Sequence, residues 1–160
     1  MTDAALDAAI PAGATVLLDT SAVLAYLSGS ESASQAAAAV IDGYVALGRN
    51  AAVLSAISVT ELLVRPVRAG SATAIRLVDD FLDHFPNLRV ESVSVDIARA
   101  AARIRAATSA PTPDALILAT AVGASVRIVV GNDAGWPRIV ERASLPIEVV
   151  LLAELPIGAP

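Results

Sequence analysis

Four carboxylates stand apart in this chain, each where an apolar run gives way to a turn or a helix start. Asp19 ends Val16-Leu17-Leu18, and Glu61 follows Ala52-Val53-Leu54-Ser55 by a few residues. Asp114 sits in Pro111-Thr112-Pro113-Asp114, and Asp133 follows Arg127-Ile128-Val129-Val130-Gly131-Asn132. In an α/β protein, strand ends and the helix starts after them converge on one crevice. Carboxylates gathered there repel one another unless a cation lies among them. A cation held by oxygens is a hard divalent ion, and such ions serve phosphate chemistry.

Each acid also has a purely local reading. Asp19 fits a cap for the helix after it. Ser58-Val59-Thr60-Glu61 fits a capping box; a helix starting at Ser55 instead places Glu61 in its second turn, free to face a crevice. Asp114 suits a helix start with Thr112 as cap and Pro113 as first helical residue. Asp133, in Gly131-Asn132-Asp133-Ala134-Gly135, fits an Asx turn. What local roles leave unexplained is the recurrence of all four at equivalent places.

The elements that must position them alternate. Strands are expected at residues 16–18, 52–54, 88–95 (of edge type), 127–130 and 147–152. Helices are expected at 21–27, 31–48, 58–68, 72–84, 96–107 and 114–122, with one helical turn at 4–9. Pro66 is expected to end or kink the 58–68 helix early. The pattern predicts an α/β fold with a mostly parallel central sheet of about five strands between helical layers. Residues 1–14 read as an N-terminal extension, 15–155 as the domain and 156–160 as a tail.

Composition narrows the chemistry. The 160 residues suffice for one domain with a substantial core. Cysteine is absent, which excludes a disulfide, a thiolate nucleophile and Cys-ligated zinc. All 11 basic residues are Arg, so neither a P-loop Lys nor a Schiff-base amine is present. A lone His84 excludes a His-pair nuclease. The net charge of -5 removes any broad attraction for nucleic acid. No apolar run reaches membrane-spanning length, and no signal peptide is evident, so a cytoplasmic location is expected. Asp79, Asp80 and Asp83 share a helix with a clear apolar face and read as solvated surface.

The residues around the four acids resemble the motifs of PIN-domain ribonucleases. Leu17-Leu18-Asp19-Thr20-Ser21-Ala22-Val23 is similar to the first motif and Ser58-Val59-Thr60-Glu61-Leu62-Leu63 to the second. Residues 113–121, Pro-Asp-Ala-Leu-Ile-Leu-Ala-Thr-Ala, resemble the third and are the most specific, and Asn132-Asp133 resembles the fourth. The subgroup most resembled is the VapC-type toxins. The chain departs from the pattern at Gly131, where Thr is usual, at Gly135, where a further acid often stands, and at Trp136, where Phe is common. These changes single out Asp133 as the weakest ligand.

The resemblance implies a PIN-like three-layer α/β/α sandwich and an endoribonuclease dependent on Mg²⁺ or Mn²⁺. Asp19, Asp114 and Asp133 would hold metal, with Glu61 completing the shell or orienting water. Ser21 and Asn132 would position ligands or phosphate. Arg103 and Arg105, on the helix before Asp114, are candidates for RNA contact or simply a solvated face. Arg65 lies within pairing reach of Glu61. A homodimer and a VapB-like antitoxin are the implied partners. Two other readings compete: a PIN-like module that binds RNA or a partner without cutting, and a haloacid-dehalogenase-like phosphatase. The latter wants an Asp where Ser21 stands and a Lys that the chain lacks.

Overall fold

The computed structural model describes residues 4–30 and 33–155. Residues 1–3, 31–32 and 156–160, among them the expected C-terminal tail, lie outside the described residues. In chain order the elements are α1 (Ala4–Ala9), β1 (Thr15–Leu18), α2 (Thr20–Ser28), α3 (Ser34–Val40), a π-helical segment (Ile41–Ala46) and β2 (Ala51–Ser55). There follow α4 (Ala56–Arg68), α5 (Ala72–His84), β3 (Leu88–Glu91), α6 (Val95–Thr108) and α7 (Thr112–Gly123). The last are β4 (Ile128–Gly131), α8 (Trp136–Arg142), β5 (Glu148–Leu151) and a 3₁₀ turn at Leu152–Glu154.

All strand pairs are parallel, in the order β3-β2-β1-β4-β5. The expected α/β sandwich with a five-stranded sheet is therefore present, and β3 is an edge as expected. From β1 the chain moves outward through β2 and β3, then returns to β1's other side through β4 and β5. The order reverses between β1 and β4, where an open α/β sheet leaves a crevice at the strands' carboxyl ends.

Strand alternation divides the core. Val16, Leu18, Ala52, Leu54, Ile128 and Val130 face a layer with Leu6, Ile10, Val23, Val40, Leu62 and Phe81. Leu17, Val53 and Val129 face the other layer, with Ile97, Ile104, Ile117, Leu118, Trp136 and Val140. The inner strands β1, β2 and β4 are apolar on both sides because helices cover both faces, whereas the edge strand β3, Leu-Arg-Val-Glu, has no buried residue. Few aromatics contribute; branched aliphatics and alanines close the gaps, and Ala36, Ala37 and Ala121 are all buried.

The N-terminal residues set apart as an extension pack onto the floor of the sheet. Leu6 and Ile10 are fully buried. Asp7 accepts hydrogen bonds from Arg49 at 2.9 Å and from the Tyr44 hydroxyl, and the Arg49 guanidinium lies 3.9 Å from the Tyr44 ring centroid. Buried Asn50 donates to the carbonyls of Pro11 and Ala14 at 2.8 and 2.7 Å. These contacts tie the lead-ins of β1 and β2 together, at the end of the sheet away from the crevice.

Several boundaries differ from those expected. The 31–48 helix resolves into α3 and a π-helical continuation around Gly43, closed by Gly48 at φ 74°. The residue 88–95 strand stops at Glu91, because Ser94 caps α6 by accepting from the Ile97 N–H. Helix α4 begins at Ala56 and runs through Pro66 to Arg68. Helix α7 starts at Thr112, two residues before the expected 114–122 range, so Pro111 rather than Thr112 is its cap. Helix α8 was not anticipated. No described helix is long and apolar enough to cross a membrane.

Candidate metal centre

Asp19 follows β1 directly. Its N–H donates to the Val130 carbonyl at 2.8 Å, extending the β1–β4 ladder past the strand. Its side chain caps α2 by accepting from the Ser21 N–H, so the local reading is correct. The same carboxyl is only 5% exposed and lines a crevice of about 370 Å³ with Thr20, Ser21, Leu24, Glu61, Arg65, Asp114, Asp133 and Trp136. Capping and crevice are thus one arrangement: α2 starts where β1 delivers its acid.

The other three acids arrive from different elements. Glu61 stands in the second turn of α4, whose cap position is Ser55, so the capping box is not formed. Asp114 is the third residue of α7, favoured there by the helix dipole. Asp133 follows β4 and forms the Asx turn, its Oδ1 accepting from the Gly135 N–H at 2.7 Å. The structure therefore brings all four predicted acids to one crevice.

Hydroxyls hold this arrangement. Ser21 Oγ donates to Asp19 Oδ2 at 2.5 Å and accepts from the Asn132 N–H at 2.9 Å, bridging the ends of β1 and β4. Thr20 Oγ1 lies 2.5 Å from Glu61 Oε2 and 2.8 Å from Ser58 Oγ. The Thr20 proton goes to the carboxylate, the stronger acceptor. Deeper, Thr120 donates to the Leu116 carbonyl, so Ser55 is the donor in the 2.9 Å Ser55–Thr120 bond. That bond joins β2 to α7, under Asp114. In the sequence Thr20 and Thr120 have no role of their own, and Ser55 and Ser58 figure only as helix starts. The available signal is partial: Thr20 directly follows Asp19, Ser55 ends β2 and Ser58 lies three residues before Glu61, whereas Thr120 stands two turns into α7 from Asp114.

Three sequence expectations are placed differently. Asn132 contributes through its backbone, while its side-chain oxygen accepts from the Ala153 N–H at 3.0 Å. Arg65 lines the crevice, but among the described residues it forms no ion pair with Glu61, which is taken by Thr20. Arg103 and Arg105 lie on the exposed side of α6 and do not line the crevice. Arg105 donates from Nε to the Ala110 carbonyl and braces the α6–α7 turn. Asp79, Asp80 and Asp83 are exposed, as expected.

The electrostatics are those of a site short of positive charge. Burial pushes the Asp19 pKa above 3.8, against hydrogen bonds from Ser21 and Thr20 that lower it, and Glu61 raises it further. Burial also raises Asp114, helped by Asp133 and Glu61; the Trp136 indole N–H opposes this. That indole is 2% exposed, and its Nε1 faces the Asp114 carboxyl without reaching hydrogen-bond geometry. Among the described residues no three acids stand close enough together to share one ion. The donor set nonetheless fits a hard divalent cation: oxygen ligands only, mutually repelling and partly desolvated.

The raised pKa of Asp19 has a consequence for stability. A carboxyl whose folded-state pKa exceeds its unfolded value binds more protons when folded. Its contribution is fully present below 3.8 and is lost as pH rises through the folded value. Metal-free protein is therefore expected to melt progressively below Asp19→Asn as pH rises from about 4 toward neutrality. Thermal melts of both proteins in EDTA across that range check this; a pH-independent difference contradicts it.

A model of the PIN domain matches residues 16–141, and the chain belongs to the PIN domain family. Among solved structures it is similar to VapBC2 from Rickettsia felis bound to a promoter DNA fragment (TM-score 0.65, 15% identity, 86% of this chain and 98% of that one). It is similar to FitAcB from Neisseria gonorrhoeae (TM-score 0.67, 22% identity, 88% and 99%). It also resembles Mycobacterium tuberculosis VapC20, a sarcin-ricin loop cleaving toxin (TM-score 0.64, 15% identity, 77% and 93%). At these identities the likeness speaks to the fold. No curated protein matches the chain at a significant level.

Proposed function

We propose that the chain is a divalent-metal-dependent endoribonuclease, the toxin of a toxin–antitoxin pair, working in the cytoplasm. The observation that carries this reading is the convergence of Asp19, Glu61, Asp114 and Asp133 on one crevice at the β1/β4 reversal. Asp19, Asp114 and Asp133 would hold Mg²⁺ or Mn²⁺. When bound, such an ion lowers the pKa of a water and stabilises charge on the attacked phosphate. Glu61, fixed by Thr20, would complete the metal's shell or orient the attacking water. Ser21 holds Asp19 in place and links it to the β4 end. Hydrolysis on this plan leaves a 5′-phosphate and a 3′-hydroxyl.

A VapB-like antitoxin and a homodimer are the proposed partners. An apolar groove along α4, lined by Thr60, Leu63, Val64, Val67 and Arg68, supports the antitoxin. Val64 lines both this groove and the crevice, so a segment with apolar residues followed by a cation would fill both. Purified protein with Mn²⁺ is expected to cleave structured RNA, and EDTA to abolish cleavage. Cleavage unchanged in EDTA overturns the metal mechanism.

A non-cutting RNA- or partner-binding module is the second reading. The spacing of the acids, with no three among the described residues able to share an ion, favours it. Titration calorimetry separates the two: absence of Mn²⁺ binding with RNA affinity retained supports the module.

A further inference from the structure

The chain's single tryptophan is an unusual lining residue for an acidic crevice. Trp136 opens α8 and packs into the second core layer with Ile117, Leu118 and Val140. Its indole N–H is buried, has no hydrogen-bond partner among the described residues and faces the Asp114 carboxyl. A buried N–H left unpaired costs about 1–3 kcal/mol, so such a donor is retained where some state of the protein supplies its acceptor. Phenylalanine would fill the same apolar pocket without that cost.

We propose that Trp136 is a positioning residue that sets cation choice: its indole N–H engages one oxygen of Asp114 when a cation enters, leaving the other oxygen as a single ligand. This rests on the metal-centre reading above. Mg²⁺ takes carboxylates through one oxygen in strict octahedral geometry, whereas Ca²⁺ also accepts a carboxylate through both. An indole donor on one oxygen favours the smaller ion. Partners that orient a ligand in this way commonly change metal affinity by about 10- to 100-fold.

Because Trp136 is the only tryptophan, its N–H can be removed without other change. Wild type, Trp136→Phe and protein grown with a benzothienyl analogue, in which sulfur replaces the N–H, are titrated with Mg²⁺ and with Ca²⁺. The Mg²⁺/Ca²⁺ affinity ratio is expected to fall by about tenfold in both variants. In wild type the single indole ¹H–¹⁵N signal is expected to move downfield on Mg²⁺ addition. The analogue keeps the ring's shape, so a packing defect in the Phe variant does not obscure the result. An unchanged ratio in the analogue protein, or an indole signal indifferent to Mg²⁺, overturns the proposal. Wild type that binds Mg²⁺ with the expected ratio change but never cuts RNA overturns the nuclease reading alone. Wild type that binds neither cation overturns both.

Discussion

Asp114→Asn is expected to reduce Mn²⁺-dependent RNA cleavage by at least a hundredfold while leaving the far-ultraviolet circular dichroism unchanged. Loss of residues that merely orient a metal ligand commonly costs 10- to 100-fold, and removal of a ligand exceeds that. Asparagine can still serve the start of α7, because the position asks only for a polar side chain beside unpaired N–H groups. Asp133→Asn should cost less, about tenfold, because Asp133 is exposed and one of its oxygens is held by the Gly135 N–H. Single-turnover cleavage of one RNA by the three proteins tests the ranking. Equal losses would place Asp133 on the same footing as Asp114.

Gly131→Ala is expected to damage both fold and site. A Cβ at residue 131 would lie 3.0 Å from Asp19 Cβ and 3.2 Å from Asp19 Oδ2. The nearer contact is with the root of the Asp19 side chain, so rotation about χ1 cannot relieve it. Either β4 shifts away from β1 or Asp19 moves with its backbone. Overpacking of this kind costs about 1–3 kcal/mol. In a domain of this size each kcal/mol lowers the melting temperature by about 2–4 °C. Cleavage should fall with it, because Asp19 would leave the crevice. A Gly131→Ala protein with wild-type melting and cleavage would show that the two strands yield freely. Thr is usual at this position in the motif the chain resembles. Gly131 is therefore read less as an erosion of that motif than as the mark of a closer β1–β4 approach.

Much of this architecture was legible in the sequence because strands buried on both faces read as short apolar runs between helical patterns. Asp19 and Asp114 were readable for the same reason: each marks the change from one pattern to another. Helix α8 was missed because Pro137 and Gly135 signal a turn, and only the packing of Trp136 and Val140 makes the segment helical. The π-helical segment is not legible because Gly43 is a single glycine inside an otherwise helical run, and one glycine is tolerated in an α-helix. Asn132 was assigned to the crevice, but its side chain answers to Ala153, a partner supplied by the β4–β5 pairing that local pattern does not reveal. The Thr20–Glu61 and Ser55–Thr120 bonds depend on which strands are neighbours. A hydroxyl reads the same in sequence whether it ends up latched or solvated.

The floor of the sheet, where Asp7, Tyr44, Arg49 and Asn50 bind α1 to the strand lead-ins, lies at the opposite pole from the acids. Sites this far apart contribute nearly independently to free energy. A cell can therefore tune how long each molecule survives by substitutions at the floor, and how fast each molecule works by substitutions at the rim. On the toxin reading proposed above, dose and potency become two separate dials on one small domain.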